Sequence, residues 1–412
     1  MPMRKDLVYV TLGSALPAVS NFVAVVFALR YLDAAWLGRS YALLALFFVS
    51  IDVFNFGSAR LYSVAKIRDR FPSLLFLDTL SALGSALFFI VAAGVLSRSG
   101  AIAMPHLLPV LLIAPVGYAL SHFALGYLRL NGGNGAIRAV STVSALSRCS
   151  VVWLVAKHAS WLPYLPDLLL MVEGSYGAML LVTYLVLRRQ DKIARHNAYG
   201  LAAFPQLAKL GGKELVSSWY SNAIFSGAKH VDVIIAAMLL GPAGAVLYRG
   251  AKSVHNVAFN LGQALALVVH SRMREWFLAS TQRLSVSLVL ALGTATLALL
   301  AVVTFCAYKV KLFPTASLGT PSMQWLFLLL IFTGAALMFA CRITSLMVFS
   351  ISTRSFLILS TMEVAGSLSL LSALCVVFGV MGAALSVAVS CGCVLASSLM
   401  VVGRSFSIRT AS

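Results

Sequence analysis

From Leu7 to Leu29 the chain runs 23 residues without a charged side chain, and comparable stretches recur to the C-terminus. A helix rises about 1.5 Å per residue, so such a stretch crosses the roughly 30 Å of a bilayer's hydrocarbon core. In lipid every backbone N–H and C=O must be satisfied inside the protein, which favours helices for runs this long and this apolar. Composition agrees: 60% of residues are hydrophobic and 10% charged, against about 25% charged in soluble domains. A chain of this kind cannot cover itself with a wettable surface. The reading is an all-α polytopic membrane protein. Arg4 and Lys5 precede the first stretch and no small-residue cleavage site follows it, so it reads as a retained helix, not a removed signal.

Twelve spans are expected, at about 7–29, 40–59, 73–96, 107–128, 137–155, 165–187, 215–240, 246–270, 284–307, 324–349, 356–378 and 383–402. The longest loop, 188–214, is basic and holds Gly and Pro. It divides the chain into an N-terminal six-helix half, 1–187, and a C-terminal six-helix half, 215–412. With six spans each, both halves enter the membrane in one orientation. They are expected to form two six-helix bundles related by a pseudo-two-fold along the membrane normal. VFNFG at 53–57 and AFNLG at 258–262 fall in the second span of each half, a short echo of such a repeat.

With the N-terminus inside, 20 loop Lys and Arg lie on the inner side and 6 on the outer. That bias puts both termini and the 188–214 linker in the cytoplasm, and the protein in a bacterial inner (plasma) membrane as a multi-pass protein. All six tryptophans sit at or near span ends, where an aromatic belt belongs. The net charge of +19 is accounted for by basic loops facing anionic lipid. No nucleic-acid partner is needed.

Catalytic signatures are missing. GGK at 211–213 lacks the upstream Gly of a phosphate-cradling loop, and GGNGAIR at 132–138 follows a membrane helix instead of a strand. There is no G-x-S-x-G, no H-E-x-x-H and no D-x-D. The six cysteines all lie in expected spans, and residues two apart such as Cys391 and Cys393 point to different helix faces. Buried apolar side chains are the expectation there, with no metal and no cofactor. The chain reads as a transporter, not an enzyme.

What remains are ionisable groups inside the spans, each costly enough to be a functional candidate. Arg148 and Glu173 lie at matching depth on neighbouring spans, as do Arg342 and Glu363, so each couple can form a structural ion pair. Asp78 is within reach of the basic 60–70 loop, and Asp52 stays open as a coupling or structural residue. Residues 229–257, KHVDVIIAAMLLGPAGAVLYRGAKSVHNV, are the densest case. Lys229 and Asp232 are i,i+3 and can neutralise one another. Beyond the GPAG turn, Arg249 and Lys252 are again i,i+3, Asn256 continues their stripe, and His230 and His255 are close in sequence. Counted by depth, carboxylates within reach are fewer than the cations. A cationic stripe on an apolar helix is best satisfied by a wet cavity that receives an anion. Lys229, Asp232, Arg249, Lys252, His255 and Asn256 are therefore the candidate substrate-binding set.

RYLDAAWLG at 30–38, AAMLLGPAGAVLYRGAK at 236–252 and FGVMGAALS at 378–386 resemble the span junctions and last hairpin of polysaccharide flippases. These are the Wzx-like O-antigen and exopolysaccharide transporters of the multidrug/oligosaccharidyl-lipid/polysaccharide exporter (MOP) superfamily. The chain departs from that family's G-x-Y at GRSY (38–41) and at VLY (246–248). The resemblance implies a V-shaped pair of bundles around a central cationic cavity. Its substrate would be a lipid-linked oligosaccharide, a glycan on polyprenyl diphosphate, moved from inner to outer leaflet by alternating access. Implied partners are the lipid bilayer, a polysaccharide polymerase and a chain-length regulator. Arg can hold diphosphate oxygens bidentately and Lys as a point charge; Asn222, Ser226, Asn256 and Asn260 can face sugars.

Three rivals stand beside it. A drug/cation antiporter of the same superfamily resembles a branch that carries an acid in its first span, and 7–29 has none. A fourteen-span lipid II flippase calls for two further spans. A polytopic glycan polymerase or glycosyltransferase calls for a large, acidic outer loop, where the first outer loop offers only Asp33.

Overall fold

The computed structural model describes residues 19–56, 71–130, 133–190, 228–279, 304–309, 311, 318–351 and 353–410, with single positions at 212, 215, 216, 219, 220, 223 and 224. The first 18 residues, most of the 188–214 linker and the ninth expected span up to residue 303 lie outside them, as do Asn222 and Ser226. Among the described residues every regular element is a helix, and eight helices are long and apolar enough to cross a membrane.

In chain order the main helices, short ones included, are α1 (Val19–Tyr31), α2 (Ala34–Phe54), α3 (Phe71–Arg98), α4 (Val110–Ala119), α5 (Ser121–Leu130), α6 (Asn134–Lys157), α7 (Leu165–Gln190), α8 (Ala228–Ala279), α9 (Pro321–Ile351) and α10 (Thr353–Thr410). A 3₁₀ turn, Ala159–Tyr164, joins α6 to α7. Both α8 and α10 are pairs of legs around one non-helical glycine, Gly241 (φ 72°) and Gly379 (φ 58°). Only glycine adopts such backbone at no steric cost. A Cβ on Gly382 would collide with the Leu374 carbonyl. Eight residues of straight helix would separate those positions by about 12 Å, so the chain doubles back at Gly379. Residues 356–378 and 383–402 thus form a hairpin.

The helices are dressed for lipid. On α3, Leu83, Leu87, Val91 and Val95 are all more than half exposed, while Asp78, Ser81, Ala82, Ser85, Ala86 and Ala93 are buried. Large apolar side chains outside and small or polar ones inside are what a membrane bundle requires, because lipid gives apolar groups no reason to hide.

The chain divides into two compact units, Leu32–Pro242 and Met1–Tyr31 with Ala243–Ser412. The division falls at Tyr31–Leu32 and Pro242–Ala243.

The Leu32–Pro242 unit starts at Asp33, which caps α2 by accepting the Trp36 N–H (2.7 Å). The Trp36 indole in turn donates to the Leu162 carbonyl at 2.7 Å, fixing the 3₁₀ turn against the start of α2. α4 and α7 cross at glycines: a Cβ on Gly174 would lie 2.9 Å from Ala114 Cα, and one on Gly117 would lie 3.3 Å from the Gly174 carbonyl oxygen. The expected span 107–128 is one apolar span, Val110–Leu128, made of α4 and α5 with Leu120 between them. Pro115 inside α4 lacks an N–H and its ring disturbs the preceding turn. Just past the break, the Phe123 N–H is taken by Asp78 Oδ2 at 2.8 Å. Asp78 therefore serves the broken helix and is 1% exposed; residues 60–70, its expected partners, lie outside the described residues.

In the other unit, α9 packs against both legs of α10 and closely against the second leg of α8. A Cβ on Gly262 would sit 2.9 Å from the Phe339 carbonyl oxygen.

Candidate functional site

The 229–257 stretch lies on α8, and the division between the units falls just past its Gly241 kink. Lys229 and Asp232 are on the first leg, in the Leu32–Pro242 unit; Arg249, Lys252, His255 and Asn256 are on the second leg, in the other. Lys229 is helical, and its side chain lies outside the described residues. Asp232 is 8% exposed. His230 stacks on Phe48, with ring centroids 4.8 Å apart.

On the second leg Arg249 and Lys252 are 4% and 8% exposed, one helical turn apart, with Asn256 half-buried a turn further on. Ser253 donates to the Arg249 carbonyl (2.9 Å) and accepts from Asn21 Nδ2 of α1 (3.4 Å), which places α1 beside this leg. His255 has a different neighbour. Its Nε2 donates to the Ile331 carbonyl at 2.9 Å, and a Cβ on Gly334 would come within 2.9 Å of that nitrogen. The ring is thus seated in a notch of α9, which only a glycine leaves open. The Asn260 amide donates to the Asn256 carbonyl at 2.8 Å.

The structure brings both depth-matched couples together. Arg148 Nη2 donates to Glu173 Oε1, between α6 and α7, with Glu173 buried and Arg148 partly so. Arg342 Nη2 donates to Glu363 Oε1 at 2.6 Å, between α9 and the first leg of α10. Phe259 adds a third contact, its ring centre 4.2 Å from the Arg342 guanidinium carbon. The two echoed pentapeptides therefore do different work. AFNLG supplies that ring and the close-packing Gly262, whereas VFNFG ends α2, where Asn55 meets the His122 ring (3.4 Å). Asp52 is half-buried on the last turn of α2.

Two buried carboxylates were not singled out as site residues from the sequence. Asp78 is one. Asp167, 1% exposed, accepts the His106 and Leu107 N–H groups at 3.0 and 2.8 Å and so pins the segment before α4. The signal for both was an acid near a helix end, adjacent to a Pro-interrupted segment. Among the described residues no group of three His, Cys, Asp or Glu is placed to hold a metal ion.

No protein-family model matches the chain, and no curated protein matches its sequence. Solved structures do match along nearly its whole length. A multidrug-resistance MATE-family transporter of the MOP superfamily, in an inward-facing conformation, superposes with a TM-score of 0.58 at 14% identity, over 98% of this chain and 99% of that one. The fold is that of the MATE transporters. A MATE transporter of Vibrio cholerae gives 0.57 at 13% identity, over 98% of this chain and 97% of that one. A MOP-superfamily transporter of Pyrococcus furiosus gives 0.52 at 13%, over 97% and 93%. The MATE fold has twelve helices in two bundles, so this chain is an all-α, multi-pass membrane protein with a transporter fold.

Proposed function

We propose that this protein is a transporter of the MOP type that moves an amphiphilic anion across the membrane by alternating access, and that its substrate is a polyprenyl-diphosphate-linked oligosaccharide flipped from the inner to the outer leaflet. The observation that carries the anionic substrate is the second leg of α8, where Arg249 and Lys252 are buried one turn apart on an apolar helix. Charge in such a place is retained for an ion or a substrate, and in a medium of low dielectric each contact to a phosphate oxygen is strengthened. Alternating access is supported by the fold, which has been solved in inward-facing and outward-facing conformations of a multidrug-resistance transporter.

A second reading is drug or cation antiport. The descriptions of the fold neighbours favour it, since several are multidrug or MATE transporters. Against it stands the sign of the α8 charges. One fold neighbour, the Pyrococcus furiosus transporter, is itself described as having a binding pocket of reverse polarity that suggests a different function. Placement in a bacterial inner membrane with cytoplasmic termini belongs to the same proposal, as do the polysaccharide polymerase and chain-length regulator as partners. Complementation separates the two readings. The gene should restore surface polysaccharide to a flippase-deficient strain and leave drug resistance unchanged in a strain lacking its drug exporters. Resistance without polysaccharide would establish the antiporter instead.

A further inference from the structure

Inside the Met1–Tyr31/Ala243–Ser412 unit, three sulfur-bearing side chains meet between α9 and the second leg of α10. Met338 and Cys341 are i,i+3 on one face of α9, and Cys391 faces them. Cys341 is 0% and Cys391 2% exposed. The Cys341 thiol donates to the Cys391 carbonyl at 3.0 Å, and Cys391 Sγ lies 4.0 Å from Met338 Sδ. Leu337, Val387, Val394 and Leu395 close around them and keep water out.

We propose that Met338, Cys341 and Cys391 form a binding site for one soft monovalent cation, Cu(I) or Ag(I). Three metal–sulfur bonds of about 2.3 Å in a trigonal plane set the sulfur atoms roughly 4.0 Å apart, which is the separation found between Cys391 and Met338. Two thiolates and a thioether are a soft donor set that selects Cu(I) over hard cations. Zinc asks for a fourth ligand, and no His, Asp or Glu among the described residues completes such a group. Binding is balanced as M⁺ + 2 RSH → M(SR)₂⁻ + 2 H⁺, with the thioether adding no charge. The ion would join two helices of one unit, independently of what the transporter carries.

The test uses full-length protein in detergent with Cys149→Ala, Cys306→Ala, Cys375→Ala and Cys393→Ala, which leaves two cysteines. Titrated with Cu(I) against bicinchoninate, it should retain one ion per chain and release two protons. Cys341→Ser or Cys391→Ser should abolish retention, and Met338→Leu should weaken it by about tenfold or more. Absence of retained Cu(I), or retention unchanged in Cys391→Ser or in Met338→Leu, overturns the proposal. X-ray absorption on the six-cysteine protein loaded with one equivalent gives a readout that needs no variant to fold. Three sulfur neighbours are expected; nitrogen or oxygen in the shell, or two sulfurs alone, overturns the site.

Discussion

Arg342 donates to Glu363 over 2.6 Å while its guanidinium lies against the Phe259 ring at 4.2 Å. One side chain thus ties the second leg of α8, α9 and the first leg of α10. Both ends of the ion pair are largely withdrawn from solvent, with side chains 14% and 11% exposed. Removing one partner from such a pair leaves a buried charge and costs roughly 3–5 kcal/mol, whereas removing both is far milder.

Arg342→Leu and Glu363→Leu should therefore each lower the yield of monodisperse protein on gel filtration, and the double variant should recover most of it. Single variants that fold normally but lose transport would instead make the pair part of the transport machinery.

Glycine packing gives a sharper contrast, because one chemical change has opposite expected signs. Gly174→Ala pushes a methyl group to 2.9 Å from Ala114 Cα at the α4–α7 crossing, while Gly94→Ala on α3 meets nothing within 4 Å. Overpacking costs about 1–3 kcal/mol, and Ala is better than Gly in a helix by up to about 1 kcal/mol. Thermal unfolding in detergent should show Gly174→Ala destabilised and Gly94→Ala unchanged or slightly stabilised.

Asp78 takes the Phe123 N–H just past the α4–α5 break. Asp78→Leu strands that buried donor, at a cost of about 1–3 kcal/mol, while Asp78→Asn keeps an acceptor oxygen. The same melting assay should rank wild type and Asn close together and Leu well below both.

Much of this was legible in the sequence for a plain reason. Span length, charge bias and depth matching are one-dimensional quantities, so counting along the chain located the helices and matched Arg148 with Glu173 and Arg342 with Glu363. What counting does not give is azimuth across a bundle. His255 was grouped with Lys252 by spacing alone, and spacing did not show that its ring reaches the Gly334 notch of α9. Asp78 was read with the basic 60–70 loop, which lies outside the described residues, and counting did not show that it also accepts the Phe123 N–H. Nothing in the spacing marks Phe259 as the ring against Arg342.

Orientation in the membrane is a separate expectation, resting on the 20-to-6 excess of Lys and Arg on one side of the assigned loops. Reporter fusions at Gly100, Gly211 and Ser412 should read outside, inside and inside. An outside signal at Gly211 would break the six-plus-six arrangement.

The central claim is that the cations of α8 carry an anionic lipid-linked glycan. The measurement that meets it most directly is leaflet movement of a fluorescent polyprenyl-diphosphate oligosaccharide in vesicles holding the purified protein, followed by quenching from outside. Wild type should move it, Arg249→Gln/Lys252→Gln should fold normally but not move it, and Arg249→Lys should keep part of the rate, since charge survives while the bidentate geometry is lost. Undiminished movement by the double Gln variant would contradict the account, and so would a wild-type protein that leaves the glycan in place while exporting an organic cation.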